Sequence, residues 1–214
     1  GDTASSILTE TVYLNIDVEP VATVANVNTI QVKQAIGYED DGRGNGNSAT
    51  PNDTINANGT GGIPLKIKVS SDDTDGSEKA NIKITNIPTG AVIYYNGVVV
   101  NQDTAGTVII NNFDNSKSLV YIPPFNDDTD ATLKVFVEFV DTVKYNGYIE
   151  NDTTYGVAPY IETKSSGWSS TGKDLSVIVK NVADAPVGTD IAGTLVGGKT
   201  NEYTLTTNAT EDTP

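Results

Sequence analysis

Strict alternation of apolar and polar residues is the main signal along this chain. It runs through Val12-Tyr-Leu-Asn-Ile-Asp-Val18, Ile63-Pro-Leu-Lys-Ile-Lys-Val69, Ile82-Lys-Ile84, Leu133-Lys-Val-Phe-Val-Glu-Phe-Val140 and Leu175-Ser-Val-Ile-Val179. A period of two sends successive side chains to opposite faces, so each run predicts a half-buried strand. The runs are rich in Val, Ile, Thr and Tyr, which fit a pleated surface. Between Tyr94-Tyr95 and Val98-Val-Val100 stands Asn96-Gly97. That pair predicts a tight hairpin, because both central residues of a type I′ turn need φ > 0. No stretch carries a capped helical period. The prediction is an all-β chain, and its spaced short strands suggest a sandwich.

Two segments exceed ordinary hairpin connections. Gly42 to Gly62 is dominated by Gly and Asn, which predicts either disorder or a loop offering its backbone to a ligand. Val143 to Lys173 carries Tyr145, Tyr148, Tyr155, Tyr160 and Trp168, the last being the only tryptophan. That segment is either a packed flap or a surface that contacts a ligand. Tyr and Trp offer flat apolar area with a polar tip, suited to sugar rings or peptide side chains.

Composition narrows the chemistry. The chain has 214 residues, 37% of them hydrophobic, and a net charge of −15 with no His and no Cys. Triads built on His, zinc sites built on imidazole or thiolate, and disulfides are therefore excluded. No apolar run approaches the roughly 20 residues that cross a bilayer. The first ten residues lack the blocks of a signal peptide, which predicts a mature segment or a piece of a longer protein. The acidic balance disfavours nucleic acid and anionic membranes and favours hard cations. A glycosidase would need one carboxyl with a raised pKa in a cleft, and no residue stands out for that role, so no enzyme is expected.

The acidic residues cluster. Ser71-Asp-Asp-Thr-Asp-Gly-Ser-Glu78 follows a predicted strand, and its Asp-x-Asp-Gly spacing suits Ca²⁺, which takes about six to eight hard oxygens. An EF-hand fails, since Ile82 stands where the closing Glu would be needed. Asp72, Asp73, Asp75 and Glu78 are the candidate ligands, and a solvated acidic turn is the other reading. Asp127, Asp128 and Asp130 form a second candidate loop, although Asn- and Asp-rich turns also cap strands through side-chain to backbone bonds. The chain also repeats itself. Leu14-Asn-Ile-Asp-Val-Glu-Pro-Val-Ala22 aligns with Leu175-Ser-Val-Ile-Val-Lys-Asn-Val-Ala183, and Glu39-Asp40 follows the first copy as Glu211-Asp212 follows the second. A tandem array accounts for this. Residues 1–22 would end one unit, 23–185 form a complete unit, and 186–214 open the next.

Val69-Ser-Ser-Asp-Asp-Thr-Asp-Gly-Ser-Glu78, Ile82-Lys-Ile-Thr-Asn-Ile-Pro-Thr-Gly-Ala91, Tyr121-Ile-Pro-Pro124, Val179-Lys-Asn-Val-Ala-Asp-Ala-Pro186 and Ala209-Thr-Glu-Asp-Thr-Pro214 occur in this order. Together they resemble the cadherin-like repeats of large bacterial RTX-type, biofilm-associated surface adhesins. The resemblance implies an Ig-like, cadherin-like Greek-key sandwich, exported to the bacterial cell surface, with Ca²⁺ at the ends of units and neighbouring repeats as partners. It implies metal ligands at Asp73 and Asp75, at the linker aspartate Asp184, and at the acidic pair Glu39 and Asp40. The first linker departs from the pattern. Thr23 stands where the second copy has Asp184, and Ala25 where it has Pro186, with Asp17 and Glu19 as candidates to compensate. The expected role is a calcium-stiffened structural and adhesive module. The alternative is a calcium-dependent binding module for a peptide or glycan, using the 143–173 loop.

Overall fold

The structure is a computed structural model that describes residues 18–44, 61–145, 148–149, 156–157, 159–182, 193–195 and 203–205. The predicted all-β class holds. A 3₁₀ turn at Val27–Thr29, capped by the Asn26 side chain, leads into β1 (Ile30–Lys33) and β2 (Ala35–Tyr38). Then come β3 (Ile63–Pro64), β4 (Lys66–Val69), β5 (Glu78–Thr85), β6 (Val92–Tyr95), β7 (Val98–Val100), β8 (Val108–Ile110) and β9 (Leu119–Ile122). The long β10 (Ala131–Tyr145) is followed by β11 (Tyr148–Ile149), β12 (Gly156–Val157), β13 (Tyr160–Ser165) and β14 (Lys173–Lys180). A separate pair, β15 (Gly193–Leu195) and β16 (Tyr203–Leu205), lies beyond.

One sheet runs β2-β14-β10-β5-β8, with β13 added along the second half of β10. The other runs β3-β9-β6-β7, and β1 pairs with β4. Inward-facing residues of both join one core, including Ile63, Ile93 and Tyr121 on one side and Ile82, Leu133, Val135, Val137, Phe139, Leu175 and Val177 on the other. Burial of each such side chain contributes on the order of 2 kcal/mol. The Asn96-Gly97 hairpin is present, with φ of 50° and 77° and Ile93 opposite Val100.

Two features depart from a plain reading of the pattern. Ile63 to Val69 reads as one strand, but it changes partner midway. Its first residues pair with β9, and its last with β1. The first strand of the unit likewise switches sheets at Gln34, because β1 pairs antiparallel with β4 whereas β2 runs parallel to β14. Alternation sets which side chains face in, but it is silent about the partner across the ladder.

This path has a consequence for the termini. Residues 18–23 lie beside the start of β5 and the far part of β10, while β14 ends beside Glu39. The chain enters the sandwich at one end and leaves it at the other.

Candidate functional site

Acidic residues gather at both ends. At the N-terminal end, the turn between β4 and β5 is a series of local hydrogen bonds. Asp73 N donates to Ser71 Oγ at 3.0 Å, Asp75 N to Asp73 Oδ1 at 3.0 Å, and Ser77 N to Asp75 Oδ1 at 2.8 Å. Hydrogen bonds from the Ser77 side chain and backbone hold the Asp75 carboxyl below the usual carboxylate range. Asp72 is exposed. Glu78 opens β5 and accepts from Thr23 N with one oxygen and from the Ser71 hydroxyl with the other.

The residue that completes this end is Asp141. It occupies an inward-facing position near the end of β10, in the same register as Leu133, Val135, Val137 and Phe139, and is only 5% exposed. Its Oδ2 accepts from Val21 N at 2.8 Å, and its buried Oδ1 has no hydrogen-bond partner. Asp141 lines a cavity of about 500 Å³ together with Glu19, Asp73, Asp75 and Ser77, with Lys144 also on its wall. A buried carboxylate oxygen without a donor costs free energy unless a cation or water meets it. Sequence reasoning missed Asp141. Its signal was a carboxylate at an apolar position of an otherwise regular alternation.

The entering chain is latched here by its backbone. Thr23, standing where the second linker has Asp184, donates its N–H to Glu78 and its side chain meets Ser71 Oγ at 3.0 Å. Glu19 supplies a carboxylate to the cavity; Asp17 lies outside the described residues.

At the C-terminal end, Glu39, Asp40 and Asp41 are all buried, Asp41 completely. Glu39 accepts from Val182 N and donates its own N–H to Lys180 O at 3.0 Å, so it holds the leaving chain. Asp41 Oδ2 accepts from Tyr38 N at 2.9 Å. The turn fits because position 37 is Gly, where a Cβ would come within 2.5 Å of Asp41 Oδ2 and 2.4 Å of Ile63. Arg43 reaches across this end and donates to Gly90 O at 3.2 Å and to Pro123 O. Burial lowers its pKa, while the nearby Tyr121 and Asp40 act in the opposite direction.

The second predicted loop joins the same end. Asp130 Oδ1 accepts from Val179 N at 2.9 Å, and Asp127 Oδ1 from Thr129 N at 2.9 Å; Asp128 is exposed. Tyr121 is wholly buried, its hydroxyl has no hydrogen-bond partner, and desolvation pushes its pKa up with help from Asp127. Asp184, Glu211 and Asp212 lie outside the described residues. Among the described residues, no three or more carboxylates are drawn together tightly enough to form a ready metal cluster. The acids line openings and hold the entering and leaving chain.

The aromatic residues of the 143–173 segment separate into two groups. Tyr145 and Tyr160 stack with ring centroids 4.3 Å apart at 13°, and the Tyr145 hydroxyl exchanges hydrogen bonds with the backbone of Val18. Their rings therefore serve the junction with the entering chain. Trp168 sits on the outer face of the larger sheet, near Lys83. Tyr155 and the side chain of Tyr148 lie outside the described residues. Comparison of the chain with protein-family models, with curated proteins and with solved structures finds no match.

Proposed function

We propose that this chain is a calcium-stiffened structural and adhesive module of a bacterial surface adhesin, an Ig-like Greek-key unit within a tandem array at the cell surface. The observation that carries the reading is Asp141. Its Oδ1 is buried without a hydrogen-bond partner, and the residue lines a cavity shared with Asp73, Asp75 and Glu19, where the entering chain is already hydrogen-bonded to the sandwich. The donor set is all oxygen, which suits Ca²⁺ and offers nothing to softer metals. Asp141, Asp73, Asp75 and Glu19 line the cavity without forming a ready cluster, and in this reading they would draw together around the ion, which would cancel their repulsion while tying linker to sandwich. Glu39, Asp40 and Asp130 are the corresponding candidates at the other end, beside the leaving chain.

The test is thermal melting in Ca²⁺ and in chelator. At about 10 mM Ca²⁺, a Kd of roughly 10⁻⁴–10⁻³ M contributes about 1.5–3 kcal/mol, or several degrees in Tm. The expected result is an upward shift in Tm that Asp141→Asn abolishes. An identical melt with and without Ca²⁺ would sink the reading.

A further inference from the structure

The outer face of the larger sheet carries an assembly that the junctions do not use. Lys83 on β5 lies directly opposite Phe136 on β10 and, on its other side, opposite Ile109 on β8. Its ammonium sits 4.8 Å from the centroid of the Phe136 ring and 4.8 Å from that of Trp168. Both rings are placed by backbone devices. Phe136 leans over Gly172, where a Cβ would come within 2.8 Å of its ring. Trp168 rides on the segment between β13 and β14, which Ser166 and Ser169 pin to β10. The backbone N–H groups of Ser166 and Ser169 donate to Phe139 O at 2.9 Å and Val137 O at 2.8 Å. Their hydroxyls accept from Phe139 N at 2.9 Å and Val137 N at 3.3 Å.

Charge on this face is distributed unevenly. Glu138 is satisfied by Asn81 at 3.0 Å and the Ser165 hydroxyl at 2.6 Å, and Asp174 pairs with Lys134 at 3.4 Å. Among the described residues, Lys83 has no carboxylate partner. In a chain of charge −15, an unpaired ammonium fixed between two aromatic rings marks a place for an external anion. Lys83 and Phe136 stand on β5 and β10 inside the sheet, while β8, which carries Ile109, is its edge strand. A peptide that extended the β8 edge would lie beyond Ile109, two strands away from Lys83, so backbone pairing, which is how extended peptides gain affinity on sheets, would not place it over the two rings. A sugar ring needs no such edge. Its C–H face packs on aromatic and aliphatic side chains such as Trp168 and Ile109, and its carboxylate meets the ammonium.

We infer that Lys83, Phe136, Trp168 and Ile109 form a binding site for an acidic sugar, a uronate unit of an anionic glycan. This site acts without Ca²⁺, so it stands apart from the junction reading. Trp168 is the only tryptophan, and its fluorescence therefore reports from the site itself. The experiment titrates the 214-residue chain with oligogalacturonate in chelator, at about 0.15 M salt so that the long-range repulsion of the acidic chain is screened. A neutral galactose oligomer and a Glu-rich peptide serve as controls. The expected result is a saturable fluorescence change with the uronate oligomer alone, about tenfold weaker in Lys83→Gln and largely restored in Lys83→Arg, with an unchanged melt for both variants. No saturable change, an equal response to the neutral oligomer, or a preference for the peptide would each overturn the assignment.

Discussion

At the end where the chain enters, Asp73, Asp75, Asp141 and Glu19 share a cavity whose wall carries Lys144. At the end where it leaves, Glu39, Asp40 and Asp41 are buried beside Arg43. Both ends hold the chain in the same way, by a carboxylate accepting backbone N–H groups: Asp141 and Glu78 at one, Glu39 at the other. They differ in what offsets the negative charge. The leaving end has a half-buried cation, Arg43, anchored on Gly90 O and Pro123 O, whereas the cation on the wall of the entering end, Lys144, is exposed. On the proposed reading, acidity alone therefore does not define a metal-dependent junction. What matters is whether the fold already supplies the countercharge.

The comparison is broken most strongly at Arg43. Arg43→Met keeps the apolar stem but removes the charged donor to Gly90 O and Pro123 O, and the expected loss is about 1.5–3 kcal/mol in chelator, read by urea denaturation. Asp141→Asn probes the opposite end. Because an amide oxygen still accepts from Val21 N, its stability in chelator should stay within about 1 kcal/mol of the parent while the Ca²⁺ response disappears. If Asp141→Asn costs as much in chelator as Arg43→Met, the two ends are alike and the distinction fails.

Tyr121 sharpens the picture at the leaving end. Its hydroxyl is buried without a hydrogen-bond partner, so Tyr121→Phe should be neutral or raise stability by up to about 1 kcal/mol. A clear loss would mean that the hydroxyl serves a partner in solution. The smallest effect belongs to Ser77→Ala, which removes the leading cause of the depressed Asp75 pKa. The sign follows from that depression. Asp75 adds its share of stability above the ordinary carboxylate range and loses it as pH falls through the folded pKa. In Ser77→Ala the Asp75 pKa, followed by NMR titration, should move up toward its ordinary value, with the melt nearly unchanged at neutral pH.

Much of the scaffold was legible from residue order. The inward set Leu133, Val135, Val137 and Phe139, the register of Leu175 and Val177, and the Asn96-Gly97 turn all follow from period two and turn chemistry. The acidic turn at Asp73 and Asp75 was equally visible, as was the pair Glu39 and Asp40. Less visible was Asp141, whose neighbours in sequence are strand residues and whose acidic companions come from a distant turn and the entering chain. Arg43 and Asp41 escaped notice because burial is what makes them consequential, and burial is a property of the assembled sheets. The aromatic residues of the 143–173 segment read as one group. The ladder between β10 and β13 instead gives Tyr145 and Tyr160 to the junction and leaves Trp168 on the open sheet face.

The sequence by itself determined the strand class, the faces that point inward and where negative charge concentrates, since each depends on neighbours a few residues apart. Only the tertiary structure decided which carboxylates share a cavity, which of them lie near Arg43, and that Lys83 stands between two rings. Those juxtapositions depend on strand partners and on the switch at Gln34, which local alternation does not encode because any two such strands can pair equally well until the whole core is packed.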